Sequence, residues 1–329
     1  MSTRPTLPNG SLVGVPSLMA CVALVAGTTV PLPLSAQDTG ERNAQEWVDF
    51  RVFDGHGGAS SLEAVLDAAA ESEVLLIGEE HDDVVGHSLE LQLLSGVAGR
   101  LFETGREPRR PVVLSLEMFE RDVQYVLDEY LAGLISEDHF VASGRAWDDY
   151  AAAYRPLVEF ARAHGIRVVA ANAPRRYVNR VTASGPVALL DLSPLAQSYL
   201  PPLPFPGPSE RYRAQWDLAM TQGADTTAGT HVHATSPHAI QAQALWDASM
   251  GHAITGALVQ SLGALVVHVA GAFHVAHGTG IPERISDYRP GTRVTTVVIT
   301  KADDADAWDE AEHSGLADFV VLTATRSRS

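Results

Sequence analysis

Short apolar runs alternate with polar corners along this chain, and that alternation predicts most of its elements. Val74–Ile77 reads as a buried strand, rich in β-favouring residues and stopped by Gly78. Pro111–Leu116, Ile166–Ala171, Leu265–Ala270, Val294–Thr300 and Phe319–Thr323 read the same way, and Trp47–Phe53 predicts a short edge strand. Apolar residues at helical spacing follow Ser60 and Ser61, at Leu62, Val65 and Leu66, with either serine as N-cap. Another helix is predicted at Leu89, Leu91, Leu93 and Leu94, and another at Val123, Val126, Leu127, Tyr130 and Leu131. Leu157, Phe160 and Ala161 predict a helix that stops at His164-Gly165. Strands separated by helices predict an α/β fold, a mainly parallel β-sheet flanked by helices. Repeated prolines weaken the pattern from 180 to 260, which predicts a smaller helical insertion domain with a mobile loop and a helix at Ala239–Leu262. Residues 120–160 predict a second helical part, and Asp303–Glu312 a solvated acidic helix.

Composition narrows the function. The chain has 329 residues, of which 46% are hydrophobic, so a sizeable core is expected. Lys and Arg number 23 against 40 Asp and Glu, a formal charge of −17 that argues against nucleic acid or an anionic membrane as partner. A single cysteine, Cys21, excludes an intrachain disulfide framework and a cysteine zinc site. Residues 1–36 resemble a signal peptide, with a cleavage site at Leu34-Ser35-Ala36, so export to the periplasm or cell envelope is expected. Leu18-Met19-Ala20-Cys21 also resembles a lipobox, which would attach the chain to a membrane through a lipidated Cys21. The segment 37–60 then reads as linker and edge segment, 61–323 as the folded domain, and 324–329 as a tail.

The polar corners carry the candidate chemistry. Predicted strands end at Glu79/Glu80/His81, at Glu117, at Asn172/Arg175 and at His274/His277. Strand ends of one parallel sheet lie side by side, so these groups are expected around a common hollow although they are far apart in sequence. Arg175 is expected to neutralise part of the acidic corner or to bind a ligand carboxylate. Two ends share the spelling Gly-x-x-His, Gly78–His81 and Gly271–His274: the glycine allows close backbone approach and the histidine projects after the turn. Imidazoles there suit iron or zinc ligation, with His81 and His274 as metal candidates, or acid/base work. Glu79, His81, Glu117 and His274 would then be the catalytic set of a metal-dependent or acid/base hydrolase. His87 reads as opening its helix, His231, His233 and His238 as a solvated loop, and Trp147, Tyr150 and Tyr154 as core. The chain has no His-Glu-x-x-His, no Walker loop and no Gly-x-Gly-x-x-Gly after a strand.

Five stretches carry a family resemblance: LLIGEEHDDVVGHSLELQLL, LSLEMFERDVQYVLDEYLAG, YRPLVEFARAHGIRVVAANAPRRYV, AQALWDASMGHAI and VHVAGAFHVAHGTGIPERI. In these the chain resembles the ChaN-like family of haem-binding uptake proteins, within the wider group of Tiki-type proteases, TraB proteins and erythromycin esterases. The resemblance implies a large parallel α/β domain with a smaller helical one. It implies haem, an iron porphyrin, or another small planar ligand as the bound partner, held by Glu79, His81, Glu117, Asn172, Arg175, His274 and His277. It also implies iron acquisition at the cell envelope, with a homodimer as candidate assembly; a divalent metal ion is the alternative cofactor. One departure stands out: Glu80 occupies a position where some relatives carry an aromatic residue able to supply a phenolate ligand.

Overall fold

Period-two alternation sorts the side chains of each central strand onto two faces, and helices cover both. The computed structural model describes residues 50–103, 110–222 and 236–324. The leader-like segment, Cys21, most of the linker, His231, His233 and residues 325–329 lie outside these. Among the described residues seven strands form one sheet: β1 (Phe50–Asp54), β2 (Val74–Glu79), β3 (Val112–Glu120), β4 (Arg167–Asn172), β5 (Leu265–Gly271), β6 (Val294–Ala302) and β7 (Phe319–Ala324). Their order is β1-β7-β6-β2-β5-β3-β4, antiparallel only between β1 and β7. The fold is therefore α/β with a mainly parallel sheet, as the strand–helix alternation predicts.

One face carries Leu75, Ile77, Leu114, Leu116, Val267 and Val269. It packs under α1 (Leu62–Glu71), α2 (Val84–Glu103), α3 (Gln124–Leu131), α4 (Glu137–Ser143) and α5 (Arg155–His164). The other face, with Val74, Leu76, Val113, Val266 and Ala270, packs against α6 (Arg175–Ser184), α9 (Ala239–Gln260) and α10 (Ile281–Tyr288). Between α6 and α9 lie α7 (Pro194–Ser198) and α8 (Glu210–Gln222), and α11 (Glu310–His313) precedes β7. Truncating one such fully buried leucine to alanine removes about 2–5 kcal/mol. The described residues form one compact unit, with α9 inside the core that covers the sheet. Among the described residues no helix is long and apolar enough to cross a membrane.

The free edge of β4 is closed by a side chain. The Gln124 amide donates to the Val168 carbonyl (2.9 Å) and accepts from the Ala170 N–H (2.8 Å), as a neighbouring strand would. Gly78 is required by proximity, since a Cβ there would lie 3.0 Å from the Ala272 Cα just beyond β5.

Candidate functional site

The carboxyl ends of β2, β5, β3 and β4 are consecutive in the sheet, and Glu79 stands in register with Gly271. β3 runs past its predicted end to Glu120, and its pairing with β4 shifts between Leu116 and Glu120. Glu117 lies in that irregular stretch.

Glu79 is a buried hub. Its Oε1 accepts from the Tyr154 hydroxyl (2.8 Å) and from His81 Nδ1 (2.7 Å). Its Oε2 is 3.1 Å from His87 Nδ1, which is also 3.3 Å from Glu90 Oε1. The His87 ring is held on its other side by Nε2 donating to the His81 carbonyl (3.0 Å). α2 can turn His87 and Glu90 inward because Asp83 caps the helix, accepting from the Val85 N–H at 3.0 Å.

A second hub surrounds His274. Its Nδ1 bonds Asp247 Oδ1 (2.6 Å), and Tyr212 donates to Asp247 Oδ2 (2.6 Å). Its Nε2 is 3.2 Å from the Gln243 amide nitrogen and 3.6 Å from Glu117 Oε1. Glu117 Oε2 accepts from the Gly271 N–H at 2.8 Å. The hubs meet at Gly271: a Cβ there would lie 2.9 Å from His81 Nε2 and 3.8 Å from Glu117 Oε2. His81, Glu117 and His274 therefore converge on one place. Only His81 reaches solvent to any extent, its side chain 28% exposed against 1% for Glu79.

The charges of this cluster are mutually set. Burial opposes ionisation of Glu79, but hydrogen bonds from His81, His87 and Glu90 more than offset it, so its carboxyl lies well below the usual range. Burial and the Glu79 charge push Glu90 well above that range, so of the two acids Glu90 carries the proton. Burial works against a charged His87, yet Glu79 and Glu90 lift it to about 11. His81 is raised against burial by its bond to Glu79 and by the charge of Glu117. His274 is raised to about 9, burial being outweighed by Asp247 and Glu117. The core ring of His268, bonded to Ser115 at 2.9 Å, contrasts: burial drives it down to about 3.

With this geometry in place, the comparisons are decisive for ancestry. The sequence profile described as haem-binding uptake, Tiki superfamily, ChaN matches residues 65–285. The chain belongs to this ChaN-like family. A structure titled cofacial heme binding to ChaN of Campylobacter jejuni superposes with a TM-score of 0.59 at 17% identity, covering 85% of this chain and 98% of that one. At that identity the likeness establishes the fold. A mutant of the erythromycin esterase EreC in its open conformation gives 0.41 at 9% identity, covering 84% and 83%. Protein RETICULATA-RELATED 5, chloroplastic, of Arabidopsis thaliana is 24% identical over 275 residues, 80% of this chain but 35% of that protein's length.

A haem-binding family implies an iron porphyrin, and the residues present fit one at His81. Its Nδ1 is held by a carboxylate, the usual backing for a metal-bound imidazole. Its Nε2 has no hydrogen-bond partner among the described residues, and the missing Cβ of Gly271 lets the ring tip lie against the backbone there. Trp147 stands edge-on to the ring at 5.2 Å. His274 differs from the expectation of a metal ligand, because neighbours engage both its nitrogens. The described residues with metal-ligand spacing are instead Glu79, His87 and Glu90, whose ligand atoms lie within 4.8 Å of one another.

Several expected members of the ChaN-like site do other work. Glu80 accepts from the Lys301 N–H (2.9 Å) and the Thr300 hydroxyl, and Asp82 pairs with Lys301 Nζ (2.6 Å). Lys301 thus neutralises part of the acidic corner, and Arg175 opens α6. Asn172 Oδ1 accepts from the adjacent Ala173 N–H, turning the chain out of β4. His277 adopts a left-handed φ of 57° and ties its backbone to Leu316 and Arg211. His87, Glu90, Tyr154 and Asp247 are the members that the strand-end pattern misses, since each sits on a helix or beside one. His238 packs near Gly185.

Proposed function

We propose that this chain binds haem through His81 and serves haem or iron uptake. The observation that carries the reading is the state of His81: Nδ1 fixed by Glu79 and Tyr154, Nε2 unpartnered beside Gly271, and the ring partly exposed. When bound, the iron porphyrin supplies a Lewis-acid centre that accepts a nitrogen lone pair. Glu79 fixes the ring orientation and raises its basicity, Tyr154 fixes Glu79, and Glu117 sets the charge beside the ligand face. The leader-like residues 1–36 support export to the cell envelope, either freed by cleavage or held through Cys21, and a homodimer would pair two such faces. Hemin titration tests the binding. A saturable Soret shift is expected, with affinity lowered about tenfold to a hundredfold in Glu79→Gln and further in His81→Ala. An unchanged titration in His81→Ala sinks the reading.

A second reading rests on the Asp247–His274–Glu117 series, where an imidazole is held between two carboxylates at 2.6 and 3.6 Å. Such a series suits acid/base hydrolysis, with Glu117 as general base. Turnover of an ester or peptide panel, abolished in Glu117→Gln, would favour it. No turnover in the native chain would remove it.

A further inference from the structure

Away from the hubs, a cavity of about 330 Å³ opens at the β4 edge between the end of β3 and the second half of α9. Its polar lining includes Arg121, Arg167, Ser198, Tyr199, His252 and Gln260, and no carboxylate among the described residues. On a chain with a formal charge of −17, two guanidinium groups in an acid-free recess are a local reversal of sign.

Arg121 is the decisive group. Its Nη1 donates to His252 Nδ1 at 2.9 Å, and no ion pair to it is found among the described residues. The acids on either side of it are engaged elsewhere: Glu120 pairs with Arg145 at 2.6 Å, and Asp122 with Arg145 and Arg176 at 2.5 and 2.6 Å. His252 does not balance the charge, because burial and the Arg121 charge itself hold its ring below the usual range and therefore neutral. A half-buried guanidinium facing only a neutral imidazole retains unused donors and an uncompensated charge. The Tyr199 hydroxyl has no hydrogen-bond partner among the described residues, and the Tyr288 hydroxyl, buried near His252, has none either.

We infer that this recess binds a small organic oxyanion, a carboxylate or phosphate that takes the free N–H groups of Arg121, with Arg167 and Tyr199 at its rim. The guanidinium fork matches both oxyanions geometrically, and the volume suits a small metabolite. Gln124, whose amide is consumed in closing the β4 edge, positions that edge and is no ligand. α9 joins this recess to the His274 hub, since it supplies His252 here and Asp247 there. The inference stands whether or not the haem reading does.

The test is calorimetric titration of the full chain with inorganic phosphate and, separately, with citrate, each against a chloride background of equal ionic strength. Saturable binding of at least one probe is expected, with affinity lowered about tenfold or more in Arg121→Met while hemin binding is unchanged. Phosphate alone would identify a phosphate-bearing ligand, and citrate alone a carboxylate. If Arg121→Met does not fold, the exposed Arg167→Met decides, and it must weaken the same titration. Failure of both probes to saturate the native chain, or equal binding in whichever variant folds, overturns the inference.

Discussion

Replacing Asp247 with asparagine isolates the charge that holds His274, because the shape and one acceptor oxygen are kept. In the native chain Asp247 lies 2.6 Å from His274 Nδ1, and the ring titrates at about 9 instead of 6.5. That rise, at ~1.36 kcal/mol per pH unit, corresponds to about 3 kcal/mol. The sign follows from a raised folded-state pKa: the contribution is fully present below 6.5 and disappears as pH rises through about 9. Without that carboxylate the largest charge raising the ring is gone, only Glu117 opposes burial, and the folded-state pKa falls. Asp247→Asn should therefore lose most of that about 3 kcal/mol at about pH 6, the remainder being held by Glu117. At about pH 10 the native ring is neutral too, and the gap should narrow to about 1 kcal/mol, the worth of a weakened hydrogen bond. Urea unfolding of both proteins at the two pH values measures the gap, and other titrating groups cancel in the difference. An NMR titration of the His274 ring checks the cause directly. A gap equal at both pH values, or a native His274 titrating at 6.5 or below, would refute the reasoning.

Two further substitutions probe the other hub. Gly271→Ala puts a methyl group 2.9 Å from His81 Nε2, and the ring end can swing aside, so hemin affinity should fall about tenfold with a smaller change in melting temperature. Native-like hemin titration by this variant would remove Gly271 from the ligand face. Glu90 carries the proton and Glu79 the charge, so Glu90→Gln should stay within about 1 kcal/mol of the native chain, whereas Glu79→Gln should lose about 3 kcal/mol or more. Denaturant midpoints at neutral pH decide, and the reverse order would show the proton to be on Glu79.

The strands are legible in the sequence because each is a short apolar run with a breaker at its end, and the central ones need no partner outside the sheet to be recognised. Where the strand pattern stops short, at Leu116, the reason is local. Glu117 interrupts the apolar run, yet Met118 and Phe119 return to the core, so the strand continues through an irregular register to Glu120. The paired Gly-x-x-His corners converge as their positions after adjacent strands require, and Gly271 shows why the glycine is there: a side chain on it would collide with the tip of His81. The acidic corner misleads in the opposite direction. A run of carboxylates reads as one feature, but the turn sends Glu79 inward, Glu80 and Asp82 to Lys301 on β6, and Asp83 to the start of α2. Alternating directions along a tight turn separate neighbours that composition alone groups together.

Asp247, Glu90 and His87 are harder to see for a different reason, and α9 exposes it. From Ala242 to Leu258 every residue but His252 and Gly256 is buried, so this stretch has no polar face on which a charged residue could be solvated. An ionisable group in such a helix must be neutral, paired or bound to something, because an isolated buried charge is too unfavourable to persist. Residue order alone carries that constraint. Asp247 within ALWDASMG is a carboxylate without a solvated face, and it demands a partner from elsewhere in the chain. Glu90, between Leu89 and Leu91 on α2, makes a weaker form of the same demand, and His87 one turn before it is the nearest answer. Strand-end reasoning finds groups placed at the mouth of a sheet; the groups that tune them stand on helices packed against it. A misplaced charge in an apolar helix is the sequence signal for that second set, and here it leads from Asp247 to His274 and from Glu90 to Glu79.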